Sequence, residues 1–163
     1  MDFATAARTI ASECTCIRVR QAARALTRIY DEALRPTGVQ TSQLTVLVAV
    51  AHFGEAGASI NALAEVLVMD RTTLSRNLRP LEKLGLLRVA RAPGDARQRL
   101  VLLTRQGERV IEQAYPLWQR AQRELKRLAG SEQPRAARES LSGLLDALAP
   151  GSDPRRSRDK AGA

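Results

Sequence analysis

Between Asp70 and Gly85 the chain reads DRTTLSRNLRPLEKLG, which describes a capped, strongly two-sided helix. Asp70 is a good N-cap residue and Gly85 a natural stop. At ~100° per residue, with Leu74 set at 0°, Leu78 falls near ~40°, Leu81 near ~340° and Gly85 near ~20°, so they form one stripe to be buried. Thr72, Arg76, Arg79 and Lys83 fall between ~140° and ~200°. The outward side is therefore one threonine and three cations, with Thr73 and Ser75 at its edges. A face of this kind suits the major groove of a duplex, where arginine takes guanine bidentately and Thr or Ser meets bases, thymine methyls or phosphates. An ordinary solvated face mixes Glu with Lys, and past the cap this one has Glu82 as its only acid. Pro80 lies inside the helix, where it removes one backbone hydrogen bond.

The segments on either side fix the context. Ser59 opens a short helix with Ile60, Leu63, Ala64 and Leu67 on one side, and Val68 and Met69 make a tight turn into Asp70. After Gly85, LLRVAR (86–91) and RLVLLT (99–104) read as two strands joined by APGDARQ. Two helices joined by a tight turn and followed by a hairpin make a winged helix-turn-helix. Within the hairpin, Asp95 and Arg97 flank one residue. A carboxylate there holds a guanidinium in a fixed direction, and such an arginine can enter a narrow minor groove.

The flanks read as helices. Over 9–35, Ile17, Ala22, Ala25, Leu26, Ile29, Ala33 and Leu34 recur at three- and four-residue steps, and Pro36 and Gly38 end the run. Thr41 or Ser42 is expected to cap a second helix carrying Leu44, Leu47, Val48 and Ala51, with His52 as a helix-end residue. Residues 54–58 (GEAGA) read as a loop. A long helix runs from Arg105 to about Ala129, disturbed at Pro116, and a last one over 134–148 carries Leu141, Leu144, Leu145 and Leu148. The fold class is mainly α with a small β hairpin. The expected organisation is an N-terminal dimerisation helix (1–40), a winged helix-turn-helix domain (41–104), C-terminal dimerisation helices (105–149) and a disordered basic tail (150–163). The apolar faces of the terminal helices exceed what the small central module covers, which calls for a second subunit.

Charge agrees with an anionic partner. The formal net charge is +9, and residues 70–105 hold nine basic against three acidic side chains. Nucleic acid, a membrane surface and an acidic protein all fit such a balance. No apolar run approaches the ~20 residues of a membrane span, and the first residues show no signal peptide, so a cytoplasmic, non-membrane protein is expected. No Ser/His/Asp spacing, phosphate-cradling glycine loop or nucleotide fingerprint is present, so neither an enzyme nor a cofactor is expected. With Cys14 and Cys16 as the only cysteines, no disulfide framework or structural zinc site is expected.

The stretches INALAEVL (60–67) and DRTTLSRNLRPLEKLGLL (70–87), with the Asp95, Arg97 and Thr104 pattern of the wing, resemble the MarR family of bacterial regulators over about 14–148. The resemblance implies a triangular homodimer whose first and last helices pack against their mates. It implies a near-palindromic double-stranded operator, with the 71–84 helix in the major groove and the wing arginine in the minor groove. Thr72, Thr73, Ser75, Arg76 and Arg79 become groove or phosphate contacts, and Asp95 positions Arg97. The implied function is a sequence-specific transcriptional regulator, a repressor released by a small ligand or by cysteine oxidation. The alternative is a protein-interaction module that turns the basic face to an acidic partner.

Cys16 and its surroundings look like the peroxide-sensing branch of that family, with Tyr30 matching a tyrosine that hydrogen-bonds the reactive thiol. Arg18 and Arg20 would favour a nearby thiolate. Packing alone, oxidation sensing and soft-metal or arsenite binding all remain open for Cys14 and Cys16. A disulfide between them would need local unwinding, because residues two apart on a helix point in different directions. Arg20 or Arg24 could pair with the carboxylate of a small effector, or serve as a solvated face.

Overall fold

In the computed structural model the described residues are 1–92 and 95–149, with 95–97 described by backbone alone. The Pro-Gly tip of the expected turn, the side chains of Asp95 and Arg97, and the basic tail lie outside the described residues. The described residues divide into two compact units, Met1–Ala121 and a second that begins at Gln122. In order along the chain come α1 (Phe3–Glu13), α2 (Thr15–Leu34), α3 (Thr41–His52), β1 (Ala58–Ser59), α4 (Ile60–Val66), α5 (Arg71–Lys83), β2 (Leu87–Ala92), β3 (Asp95–Leu103), α6 (Arg105–Ala129) and α7 (Glu132–Leu148). The three strands form one antiparallel sheet in the order β1-β3-β2.

Four local expectations are corrected. The helix expected over 9–35 is two helices, because the chain turns extended at Cys14 (φ −72°, ψ 106°) and begins again at Thr15. The Ser12 hydroxyl donates to the carbonyls of Arg8 (3.0 Å) and Thr9 (3.1 Å), competing for helix acceptors, and Cys and Thr are weak helix formers. Neither Thr41 nor Ser42 caps α3. Gln40 does, and its N–H donates to Oε1 of Gln43 at 2.8 Å. Thr41 instead gives its N–H and its hydroxyl to Asp31 Oδ1, both at 2.6 Å, which ties α3 to α2. The loop over 54–58 contains a 3-10 turn at Gly54–Ala56 and ends in β1, which pairs Ala58 with Val101 and Ser59 with Leu100. The second wing strand starts four residues earlier than expected, at Asp95.

The core is aliphatic, as 3% aromatic content requires. Val46, Leu47 and Val50 of α3, Leu63 of α4, Leu74 and Leu81 of α5, and Val101 of β3 are all fully enclosed. Side chains of this kind contribute roughly 1.5–3 kcal/mol each when removed from water. They hold α4 and α5 on α3 and the sheet, which sets the direction of the outward face of α5.

Both helices of the helix-turn-helix end in the same way. After α4, Val68 N–H bonds Glu65 O (3.1 Å) and Met69 N–H bonds Ala64 O (2.8 Å). After α5, Gly85 N–H bonds Glu82 O (3.0 Å) and Leu86 N–H bonds Leu81 O (2.9 Å). Each is a Schellman closure, which needs a left-handed residue just past the helix. Gly85 supplies it at φ 68°, and Val68 at φ 50° is the only non-glycine with positive φ among the described residues.

Candidate nucleic-acid interface

Helix α5 is anchored by Leu74, Leu78 and Leu81, which are buried, and Thr72, Arg76, Arg79 and Lys83 stand exposed on its other side. Ser75 is half-buried at the edge. Among the described residues, no carboxylate pairs with Arg76, Arg79 or Lys83. The helix start is fixed by Asp70, whose Oδ1 accepts from Thr73 N–H (2.8 Å) and whose Oδ2 accepts from the Thr73 hydroxyl (2.6 Å). Those two bonds, the hydroxyl's first, hold the Asp70 carboxyl below its ordinary pKa. Thr73 therefore serves the cap, and its hydroxyl proton is committed there.

Beside α5 the hairpin carries Arg88 and Arg91 on β2 and Arg99 on β3, all exposed. Asp95 and Arg97 lie on the backbone of β3, and the ion pair expected between them falls outside the described side chains. The root of the wing is clamped by Thr104. Its hydroxyl donates to Gly85 O at 2.7 Å and accepts from Gly107 N–H at 3.1 Å, so the end of α5 and the start of α6 share one side chain.

A second feature lies on other elements of the same unit. Residues of α2, α3 and α6 within the first unit form an open apolar pocket of about 460 Å3, lined among others by Tyr30, Leu34, Leu44, Val48, Tyr115 and Trp118. The rings of Tyr115 and Trp118 stack with centroids 5.9 Å apart. Arg20 and Arg24 do not line it. They stand exposed on α2, nearer its N-terminus than any pocket residue. Periodicity does not assign the aromatic residues to this role, but composition carries a signal. The chain has two tyrosines and one tryptophan, and all three line one cavity.

Cys14 is half-buried at the break between α1 and α2, and Cys16 is exposed in the first turn of α2. Tyr30 lies on the same helix, about 21 Å further along its axis at ~1.5 Å per residue. Within one chain it therefore cannot reach the Cys16 thiol, and it lines the pocket instead. Among the described residues there is no cluster of three or more His, Cys, Asp or Glu suited to a metal. His52 ends α3, exposed, with its ring edge-on to Phe53. No helix among the described residues is long and apolar enough to cross a membrane.

Taken together, a short helix, a tight turn, an anchored helix with a cationic outer side and a three-stranded wing define a winged helix-turn-helix protein. Residues 37–98 match the profile of the MarR family. Transcriptional regulator HosA of Escherichia coli O111:H- is 37% identical over 92 residues, 56% of this chain and 67% of that one. The crystal structure of the M. tuberculosis transcriptional regulator MosR in complex with DNA is 36% identical, with a TM-score of 0.71 over 83% of this chain and 96% of that chain. A mutant MarR of E. coli complexed with operator DNA shares the fold at a TM-score of 0.74 over 89% and 99% of the two chains, at 23% identity. The chain belongs to the MarR family of transcriptional regulators.

Proposed function

We propose that this protein is a homodimeric, sequence-specific DNA-binding repressor that reads a near-palindromic operator and is released by a small ligand or by cysteine oxidation. The observation that carries the reading is the outer side of α5, where Thr72, Arg76 and Arg79 stand exposed, the arginines paired with no carboxylate among the described residues, on a helix whose other side is locked in the core. In this reading α5 enters the major groove, with Thr72, Ser75, Arg76 and Arg79 on bases and phosphates and Thr73 at the groove edge. Asp95 aims Arg97 into the adjacent minor groove.

The dimer is supported by α1 and α7. Helix α1 buries none of its eleven residues, and Phe3 and Ile10 are exposed. A helix of that length is marginal in water without something to pack on. In α7, Leu141, Leu144, Leu145 and Leu148 fall on one stripe and are all exposed. Residues 1–40 and 105–149 then serve as the dimerisation segments around the DNA-binding module of 41–104. Release by a small ligand is supported by the apolar pocket, which is bounded by α2, α3 and α6 and so touches a helix of the module. Release by oxidation is supported by the placement of both thiols where α1 meets α2.

The test is to capture genomic DNA with the purified protein, sequence it, and titrate the recovered duplex against wild type and Arg97→Ala. Wild type should bind with a steep salt dependence, and the variant should lose about 1–3 kcal/mol of binding while unfolding as wild type does. Failure of wild type to shift any duplex at low salt would return the basic face to an acidic protein partner. Peroxide treatment of wild type and Cys16→Ser decides the oxidation arm, since equal release of the two from DNA removes Cys16 as the sensor.

A further inference from the structure

A second cationic feature lies on the flank of α5, outside the outward face. Arg71 and Ser75, one turn apart on α5, line a cleft of about 380 Å3 together with Gln98 and Arg99 of β3 and with Ser59 and Asn61. With Leu74 at 0°, Arg71 sits near ~60° and Ser75 near ~100°, between the buried stripe and the outward cations. The cleft is therefore the wall beside the reading face.

Its polar lining is made of groups that can donate. Among the described residues, two guanidiniums, two hydroxyls and two carboxamides face it and no carboxylate does. The Ser59 oxygen already accepts from Ala62 N–H at 3.1 Å, which leaves its proton to give. Neither arginine pairs with a carboxylate among the described residues.

The sheet register adds an independent sign. Arg99 stands directly opposite Arg91 across the β2–β3 ladder. Like charges at facing positions repel, and a fold gains nothing in stability from the pairing. An anion brought to this edge removes the conflict.

We infer that this cleft is a phosphate seat for the nucleic-acid backbone, with Arg71 and Arg99 as its charged arms and Ser59, Asn61, Ser75 and Gln98 as neutral donors. Acceptor-only oxygens with a negative charge match that lining. The location selects the source: when the outward side of α5 lies in a groove, its flank meets the strand that borders the groove. The seat fixes depth and register and carries no base preference. This inference rests on the DNA-binding reading above.

The experiment measures binding of Arg71→Gln, Arg99→Gln and the double variant to the recovered operator and to a random-sequence duplex of equal length, over a range of salt. Both arginines are exposed; the melt of Arg71→Gln is expected to match wild type, and that of Arg99→Gln to match or exceed it, since it removes the repulsion from Arg91. Each single variant should weaken both duplexes by the same factor, about tenfold per subunit bound, and lower the salt slope by about two, one for each subunit of the dimer. A loss confined to the operator would assign these arginines to base reading and overturn the seat. Unchanged affinity and slope, with wild type binding normally, would overturn it as well. Inorganic phosphate titrated into the DNA-free protein separates the other source. Saturation below a millimolar, abolished in the double variant while duplex affinity is kept, would make the cleft a free-anion site and overturn the backbone assignment. Wild type that binds no duplex at all would fell the underlying reading together with the seat.

Discussion

Gly107 shows how one atom sets the distance between the reading module and α6. It is buried, and a Cβ built on it would stand 2.3 Å from Leu86 O and 2.8 Å from the Leu103 side chain. The first of those is backbone at the start of the wing and cannot rotate away. Gly107→Ala should therefore push the N-terminal turn of α6 off the sheet and cost about 1–3 kcal/mol, read as a shift in urea midpoint at constant m-value. An unshifted midpoint would mean the approach is looser than described. The same corner shows what sequence reading reaches at this scale. Asp70 and Ser59 are legible as caps because each acts within three residues of itself. Thr104 is legible only as the end of a motif, because its partner Gly85 lies nineteen residues away and no local pattern predicts the bond. The bond between Asp31 and Thr41, ten residues apart on different helices, is out of reach of local pattern for the same reason.

At the scale of the element, the two Schellman closures make an internal comparison. Gly85 takes a left-handed backbone freely, whereas Val68, β-branched and exposed, holds φ 50° against its own Cβ. Val68→Gly relieves a strain of about 1–2 kcal/mol and loses about 0.5–1 to chain entropy. A modest net gain in stability is expected, with the α4–α5 turn and the DNA affinity unchanged. A loss on urea unfolding would show that Val68 packs in a way its exposure does not suggest.

The start of α5 gives a pH prediction of a definite sign. The Asp70 carboxyl is lowered in the folded chain, so its contribution is fully present above the ordinary aspartate value and is lost as pH falls through the lowered one. Asp70→Asn keeps an acceptor at the cap and removes the titration. The stability difference between wild type and variant should be flat from neutral pH down to the ordinary aspartate range and shrink only below it. A difference that already shrinks near neutral pH would mean the cap is not what the carboxylate senses. The stop at Gly85 and the Leu74, Leu78, Leu81 stripe could be read directly because period and caps are local. Strand β1 could not, since two residues carry no period and its partner lies more than forty residues further on. The Cys14 break was hidden too: without a Pro or Gly there, the apolar spacing continues across it.

At the scale of the whole molecule, a homodimer is what joins two reading helices into one operator-length interface. The proposal places part of that junction on α7, and its stripe can be tested without touching the module that reads DNA. Leu144 is 40% exposed on α7, so a charge there meets water in the isolated chain and costs little until a second subunit covers it. Leu144→Asp should leave thermal unfolding of the winged module in place and shift sedimentation from dimer toward monomer. Binding to a duplex with two half-sites should then fall steeply, because the second contact is no longer tethered to the first. Binding to a duplex with one half-site should stay within about twofold of wild type, since each module keeps its own phosphate and base contacts. A variant that remains dimeric would move the junction off α7. One that becomes monomeric yet binds the full site undiminished would show that a single copy of α5 and its wing accounts for recognition.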